Sequence, residues 1–375
     1  MIFCIVTHVE HTEYDGRYFA YAPYINEMNI WGKNVDEIVL VAAQKKFSIS
    51  PIHTFYTNSK VSFFKIKEFD LVSIKGILRT FFAIPLNCWI IFRAMHQADH
   101  IHLRCPGNIG LLGALVQILF PNKKKTAKYA GNWDPESKQP WSYRLQKWIL
   151  RNTFLTRNMR VLVYGEWQNQ SKNIKPFFTA TYTEADKKSI QEKSLTQQIR
   201  FIFVGTLVKG KNPLYAIQLI EELSKKGYAV HLDLYGEGIE RGFLENYISK
   251  NNLEKVVNLK GNQSKDIVIE AYQKSHFIVL PSKSEGWPKA IAEGMFWGCV
   301  PIATSISCVP FMLDYGNRGV LLQMNLDKDA EEIYQLIDNP KSFQKKGIAA
   351  SNWSQNYTLD YFEKEIELLL QPNIK

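Results

Sequence analysis

Apolar and amphipathic segments alternate regularly along the second half of the chain. The short apolar runs predict strands at residues 201–204, 230–235, 256–259, 277–281, 300–304 and 319–322. The amphipathic segments between them predict helices at residues 213–223, 239–248, 264–273, 288–297 and 328–337. This alternation is typical of βαβ units, in which a parallel sheet carries helices on both faces. The second half is therefore predicted to be a doubly wound domain.

The first half alternates less cleanly, with predicted strands at 2–6, 37–41, 100–104, 126–130 and 161–164 and helices between most of them. This N-terminal half is predicted to be another Rossmann-like unit. The polar stretch 184–198 is predicted to join it to the doubly wound C-terminal half. The expected division is residues 1–190, residues 191–352, and a C-terminal segment 353–375 whose helix crosses back to the first domain. Open α/β sheets bind ligands at the carboxyl ends of their strands, so the active site is expected in a cleft across which the two domains face each other.

Composition narrows the class of protein. A chain of 375 residues with 46% hydrophobic content is typical of a folded globular protein of two domains. The five cysteines are widely spaced and form no CxxC pair, which favours neither a disulfide framework nor a zinc site and suggests a reducing cytosol. The longest apolar runs, 80–92 and 109–120, fall short of the roughly 18 residues that span a bilayer.

Positive charge is concentrated in the first half. Residues 1–190 contain 25 Lys and Arg against 14 Asp and Glu, and the remainder contains 21 against 22. Within 141–160, Arg144, Lys147 and Arg151 fall on one helical stripe and Leu145, Trp148 and Ile149 on another. This pattern fits either a helix lying on an anionic membrane or a core helix with a solvated basic face. No nucleic-acid-binding motif accompanies the charge, so nucleic acid is not expected as a partner.

The segment 276–304 has the pattern of a buried strand, a short polar loop and a helix with Pro288 in its first turn. The amides of Gly286, Trp287 and Lys289 would point out of the helix start, where they could bind a diphosphate beside the Lys289 charge. Glu293 lies about one and a half turns further on, within reach of a ribose. Glu285 precedes the helix, on the side where a donor sugar would project.

These residues resemble a known signature. Glu285 and Glu293, with Gly286, Trp287 and Pro288 between them, look like the E-x7-E motif of the retaining glycosyltransferases of GT-B fold, family 4. The loop after the strand at 201–204 is similar to that family's donor-phosphate loop. Lys211 matches its lysine, whereas Thr206 follows Gly205 where the family usually has an arginine, and Lys209 is a possible substitute.

The resemblance extends to other loops and implies a mechanism. Gly236 and Gly261 correspond to loops that flank the nucleotide base, and Gly16 to a loop of the first domain that approaches the donor or acceptor. The family implies transfer with retention, in which Glu285 orients the sugar while Lys211, Lys289 and the helix start stabilise the leaving group. It implies a nucleotide-sugar donor and a glycan or lipid-linked acceptor, and the basic first half of the chain favours a place at the inner face of the cytoplasmic membrane.

No metal cofactor is expected. Asp327-Lys328-Asp329 matches a DxD pattern, but the acidic run is interpreted as the start of a helix. His96 and His100 are expected to be structural, because a strand begins at His100 and separates it from the helical face of His96. Two alternatives to a transferase stay open: a non-catalytic nucleotide-sugar binding protein, suggested by Thr206, and a GT-B nucleotide-sugar epimerase.

Overall fold

The structure is a computed structural model that describes residues 1–50, 52–67, 74–190 and 192–371, with side chains described from residue 83 onward in the helix that begins at Ile74. The chain forms two compact units. The first comprises Met1–Phe177 together with Glu363–Lys375, and the second comprises Phe178–Phe362. The boundary expected at residue 190 thus falls inside the second unit, and the expected C-terminal segment is shared between the two.

The first unit is built on a seven-stranded parallel sheet of strand order β10-β9-β8-β7-β1-β4-β6. A small antiparallel sheet has the order β2-β3-β5. In chain order the elements are β1 Ile2–Val6, β2 Thr12–Tyr14, β3 Arg17–Tyr21, α1 Ala22–Gly32, β4 Glu37–Ala43, β5 His53–Phe55, β6 Val61–Ile66, α2 Ile74–Gln97, β7 His100–Cys105, α3 Asn108–Val116, β8 Lys124–Tyr129, α4 Trp141–Arg151, β9 Met159–Tyr164 and β10 Ile174–Phe177.

The second unit contains a six-stranded parallel sheet of order β13-β12-β11-β14-β15-β16. Its elements are β11 Ile199–Val204, α5 Pro213–Lys225, β12 Val230–Tyr235, α6 Arg241–Lys250, β13 Val257–Gly261, α7 Lys265–Lys274, β14 Phe277–Leu280, α8 Lys289–Phe296, β15 Val300–Thr304, α9 Val309–Met312, β16 Val320–Leu322, α10 Leu326–Ile337, α11 Pro340–Ser354 and the start of α12 Leu359–Leu370. The two parallel sheets confirm the predicted pair of Rossmann-like domains.

Central strands of both sheets are buried on both faces, which explains their continuous apolar runs. Phe3, Cys4, Ile5 and Val6 of β1 are fully buried between β4 and β7, and Phe277–Leu280 is buried between β11 and β15. None of the helices in the described ranges is both long enough and apolar enough to cross a bilayer. The five cysteines, all within those ranges, are unpaired.

Three elements differ from expectation. The helix predicted over 288–297 begins at Lys289, and Pro288 stands immediately before it as the N-cap residue. The amphipathic helix in the segment 141–160 ends at Arg151, because Asn152 adopts an extended conformation, and a buried strand begins at Met159. Gly16 lies in a β-hairpin between β2 and β3, where φ is 49° at Asp15 and 67° at Gly16, the pattern of a type I′ turn.

Candidate active site

Lys211 and Glu285 form an ion pair beyond the carboxyl ends of two adjacent strands. Lys211 lies in the loop after β11 and Glu285 in the loop after β14, and Lys211 Nζ donates to Glu285 Oε1 at 2.6 Å. The loops are also joined through the backbone, since the amide of Lys283 donates to the carbonyl of Gly210 at 2.8 Å. Glu285 is buried whereas Lys211 keeps about a third of its side-chain surface exposed. The pair therefore presents a cation at this sheet edge.

Glu293 lies in the second turn of α8, and two hydroxyl groups hold its carboxylate. Thr181 Oγ1 donates to Oε1 at 2.8 Å and Tyr272 OH donates to Oε2 at 3.2 Å. Burial raises the pKa of Glu293, and these two hydrogen bonds together with the charges of Lys289 and Lys265 oppose that rise. The two hydroxyl groups thus fix the orientation of the Glu293 carboxylate.

The loop that leads into α8 is fixed by its neighbours. The carbonyl of Gly286 accepts from Cys308 Sγ at 3.0 Å and from Ser307 Oγ at 3.4 Å. Trp287 is buried, and its ring lies 6.0 Å from that of Trp353 in a stacked arrangement. The Trp287 side chain thus anchors the loop, so any contact with a phosphate would come from backbone amides.

Three glycines stand side by side at the ends of β11, β12 and β13. The amide of Gly205 donates to the carbonyl of Tyr235 at 2.9 Å, and the amide of Gly236 donates to the carbonyl of Gly261 at 2.9 Å. Gly236 has φ 139°, and a Cβ there would come within 2.0 Å of the Gly205 carbonyl oxygen. Gly236 is required because two loops approach this closely. The row brings Gly205, Gly236 and Gly261 to the same sheet edge as Lys211 and Glu285.

The remaining predicted residues are placed as follows. Thr206 and Lys209 are exposed in the loop after β11, and Lys289 is half-buried at the first position of α8. Gly16 belongs to the first unit, where it lines two surface cavities of about 360 and 520 Å³. The sequence analysis missed Thr181 and Tyr272, because they lie 112 and 21 residues from Glu293 and neither is part of a local motif.

The DxD and histidine patterns have structural explanations. Asp329 is fully buried, and it accepts hydrogen bonds from Tyr215 OH at 2.5 Å and from the amide of Gln323 at 2.8 Å. The helix α10 begins at Leu326, with Asn325 as its cap. His96 lies in the last turn of α2 while His100 begins β7, and His100 is buried against the Thr126 hydroxyl at 3.0 Å. Within the described ranges no three His, Cys, Asp or Glu side chains converge on a metal position.

Several solved structures are similar in fold to this chain. HepE of Anabaena, crystallised with UDP and glucose, is similar with a TM-score of 0.66 over 99% of both chains at 15% identity. The sucrose-phosphate synthase of Thermosynechococcus elongatus has a TM-score of 0.64 over 98% of both chains, also at 15% identity. At these identities the comparison defines the fold, which is the GT-B fold.

Sequence comparison finds a family match within the second unit. Residues 184–353 match the family described as glycosyl transferases group 1. An uncharacterized glycosyltransferase of Methanocaldococcus jannaschii is 30% identical over 158 residues, which is 42% of this chain and 43% of the relative. The alpha-D-kanosaminyltransferase of Streptomyces kanamyceticus is 24% identical over 42% of each chain. The matches thus span less than half the length of either relative.

Proposed function

We propose that this protein is a retaining glycosyltransferase that transfers a sugar from a nucleoside-diphosphate sugar to a glycan or lipid-linked acceptor. The observation that carries the proposal is the Lys211–Glu285 ion pair, 2.6 Å long, at the carboxyl edge of the sheet in the family-matched unit. A buried carboxylate beside a partly exposed ammonium suits a nucleotide-sugar donor. The sugar hydroxyls lie on one side of its scissile bond, and the β-phosphate lies on the other.

Lys211 and Lys289 would stabilise the departing diphosphate. An ammonium group has three hydrogens, so Lys211 can keep its bond to Glu285 while donating to a phosphate oxygen. Charge-assisted bonds of this kind strengthen as the bond to the sugar breaks, because negative charge then accumulates on the phosphate. Glu285 accepts hydroxyl hydrogen bonds from the sugar and orients it, and Glu293 accepts those of the ribose. A donor phosphate oxygen takes the acceptor proton in this scheme.

UDP is the first nucleotide to test, because HepE was crystallised with UDP and glucose and another relative is named as a UDP-N-acetylglucosamine transferase. No metal is included in the proposed site. Supporting this, Asp329 of the DxD pattern already accepts two hydrogen bonds inside the second unit. Transfer is therefore expected to persist in excess EDTA.

Calorimetric titration with UDP-, GDP- and ADP-sugars tests the function. We expect one donor class to bind, and Lys211→Ala to weaken it by about 2 kcal/mol, because a charge-assisted bond to phosphate is lost. Lys250→Ala, an exposed lysine at the end of α6, is the matched control and should bind normally. Absence of binding to all three classes contradicts the proposal. Binding without transfer to any acceptor favours the non-catalytic alternative, and turnover of the donor without an acceptor favours the epimerase.

We also propose that α4 contacts the anionic inner face of the cytoplasmic membrane, where a lipid-linked acceptor of cell-surface glycan synthesis would be available. The exposed face of α4 carries Trp141, Arg144, Trp148 and Arg151, three or four residues apart. Trp141 and Trp148 each retain about 60% of their surface. Aromatic rings alternating with arginines suit an interface in which rings enter the headgroup region and guanidinium groups contact phosphates.

Two details of this helix correct the predicted stripes. Trp148 shares the exposed face with the arginines instead of packing with Ile149, which is buried. Lys147 turns inward, where Nζ donates to the carbonyl of Asp134 at 3.0 Å and lies 5.5 Å from the ring centre of Trp133. Burial lowers the pKa of Lys147 to about 8. The membrane-facing charge is therefore assigned to Arg144 and Arg151.

A further inference from the structure

The large sheet of the first unit has a topological switch point between β1 and β7. These strands are neighbours, but the chain continues from β1 through α1 to β4 and from β7 through α3 to β8, in opposite directions. The two helices cover opposite faces: the ring of Phe3 lies 5.5 Å from that of Trp31 in α1, whereas a Cβ at Gly113 in α3 would lie 3.2 Å from Val6. Open α/β sheets bind ligands where such loops diverge, beyond the carboxyl ends of the strands.

His8 lies at this switch point, two residues after the end of β1, and it is exposed. Its ring rests against the loop after β7, because a Cβ at Gly107 would come within 3.2 Å of His8 Nδ1 and 3.4 Å of Cγ. Gly107 has a φ of 147°, which favours glycine and leaves room for the ring. Since Nδ1, Cγ and Cβ are the atoms nearest to Gly107, Nε2 lies on the outer side of the ring.

The backbone around His8 is held in place by hydrogen bonds on both sides. The amide of Thr7 donates to the carbonyl of Val41 in β4 at 3.0 Å. The amide of Val9 donates to Thr7 Oγ1 at 3.1 Å. A ring carried by such a loop is oriented before a ligand arrives, so less conformational entropy is lost on binding.

The protonation state of His8 suits a hydrogen bond with an uncharged group. Crowding by the neighbouring loops lowers the pKa of His8, the nearby charge of Arg104 lowers it further, and a hydrogen bond from the ring to the Arg104 backbone carbonyl opposes both effects. The imidazole is therefore neutral near pH 7. A neutral imidazole has one N–H group and one nitrogen that accepts.

Two cations near the carboxyl ends of β7 and β8 are paired with a carboxylate. Arg104 and Lys128 contact the two oxygens of Glu27 in α1, at 3.0 and 2.9 Å. Lys128 is fully buried, and Arg104 keeps only 14% of its side-chain surface exposed. Asn108, which follows Gly107, adds a partly exposed amide side chain. These neutral polar groups favour a hydroxyl-bearing ligand over an anion.

We propose that His8 binds the acceptor sugar by accepting a hydrogen bond from a hydroxyl group next to the one that attacks the donor. This inference rests on the proposed function, and it assigns the acceptor to the class of neutral glycans. Nδ1 carries the hydrogen and faces the loop after β7, while Nε2 carries the lone pair and faces the acceptor. No proton is transferred to His8. Its role is to set the affinity for the acceptor and the alignment of the attacking hydroxyl.

Rates of transfer to octyl glycosides test the role of His8 in the full-length protein. The probes are octyl β-D-glucoside, galactoside, N-acetylglucosaminide and glucuronide, with the donor that calorimetry identifies. At least one neutral glycoside should be an acceptor, and the glucuronide should be a poorer one. His8→Phe should raise the acceptor KM about three- to tenfold, since one neutral hydrogen bond is lost. The dissociation constant of the donor should stay within about twofold.

Two amide substitutions test which nitrogen of His8 acts. The amide of His8→Gln reaches the position of Nε2 and should keep the acceptor KM within about twofold of the wild type. The amide of His8→Asn reaches only the position of Nδ1, so this variant should resemble His8→Phe. Because both side chains carry the same group, a difference between them reports its position and not a loss of folding. His96→Phe, an exposed histidine in the last turn of α2, is the matched control and should behave as the wild type.

Several results would overturn the role of His8. These are an unchanged acceptor KM in His8→Phe, equal losses in His8→Gln and His8→Asn, and weaker donor binding in His8→Phe. Preferred use of the glucuronide, or no transfer to any octyl glycoside by a protein that binds its donor, would overturn the neutral acceptor class. A wild-type protein that binds no nucleotide-sugar contradicts the proposed function itself, and the inference fails with it.

Discussion

Glu293 receives hydrogen bonds from Thr181 and Tyr272 while burial raises its pKa. In the proposed site Glu293 accepts two ribose hydroxyls as a carboxylate, so donor affinity should fall as the pH falls through this pKa. The Tyr272 hydroxyl lowers the pKa by stabilising the carboxylate. In Tyr272→Phe the pKa is therefore higher, and donor affinity should begin to fall at a higher pH than in the wild type. The measurement is the dissociation constant of the donor as a function of pH.

Tyr228→Phe is the matched control for this change. Tyr228 OH also donates to a carboxylate of the second unit, that of Asp338, at 2.9 Å, but on an exposed surface. Its pH profile should coincide with that of the wild type. An acidic limb that stays in place in Tyr272→Phe would mean that Glu293 does not bind the ribose as an anion.

Thr206 is exposed in the loop after β11, at the position where the resemblance to retaining GT-B glycosyltransferases predicts an arginine. Thr206→Arg should tighten donor binding by about 1–2 kcal/mol, because a guanidinium group there can contact the diphosphate. The folding cost should be small, since the side chain extends into solvent. Thr206→Gln is a suitable comparison of similar reach without charge. If both variants bind the donor equally, the charge at this position has no role.

For individual site residues, the sequence was informative when the residue belonged to a local motif. Glu285 and Lys211 were both predicted, but their 2.6 Å ion pair was not, because the partners are 74 residues apart. The roles of Thr181 and Tyr272 depend on which loops and helices pack around α8, and that packing leaves no spacing pattern in the sequence.

The loops after β11 and β12 are held together by the close approach of Gly236 to Gly205. Gly236→Ala puts a Cβ 2.0 Å from a carbonyl oxygen, at a φ of 139° that side chains rarely adopt. It should lower the free energy of unfolding by about 3 kcal/mol or more and weaken donor binding by displacing the loop that holds Lys211. Gly242→Ala in α6 has open space around the new Cβ and should be neutral or slightly stabilising. Chemical denaturation with donor titration measures both effects, and equal stability of the two variants would contradict the argument.

The exposed face of α4 leads to a separate prediction about binding to anionic membranes. Arg144→Ala/Trp148→Ala should reduce co-sedimentation with phosphatidylglycerol vesicles severalfold, since it removes one charge and one aromatic ring from the proposed contact. Added salt should weaken the binding of the wild type, because the charges are exposed. Lys250→Ala/Phe243→Ala, an exposed cation and ring on α6, is the control. Binding that is independent of salt and unaffected by the α4 changes would exclude this helix as the contact.

Strands and helices were predictable when burial produced a regular pattern of apolar residues along their whole length. The central strands were found within a few residues, and β1, β12 and β15 agree at both ends. The strands β2, β3 and β5 were missed because three to five partly exposed residues carry little periodicity. The helix α11 was missed as well, since Gly347 and several small residues weaken its apolar stripe.

For the whole molecule, the alternation of strands and helices was enough to predict two parallel α/β units. The unit boundary was harder, because the polar stretch 184–198 resembles a linker and yet belongs to the second unit. Within it Lys193 donates to the carbonyl of Ser275 at 2.5 Å and to that of Trp297 at 3.2 Å. A polar segment can thus be fixed by backbone carbonyls that its own sequence does not indicate.

The division of α12 has a consequence for the order of folding during synthesis. Glu363 and Glu365 lie in the part of α12 that belongs to the first unit, where they pair with Lys33 at 2.7 Å and Lys175 at 2.5 Å. The second unit is one continuous stretch, so a ribosome delivers all of it before it delivers the last segment of the first. The first unit, although most of it is translated earlier, is expected to be the one whose folding is completed last.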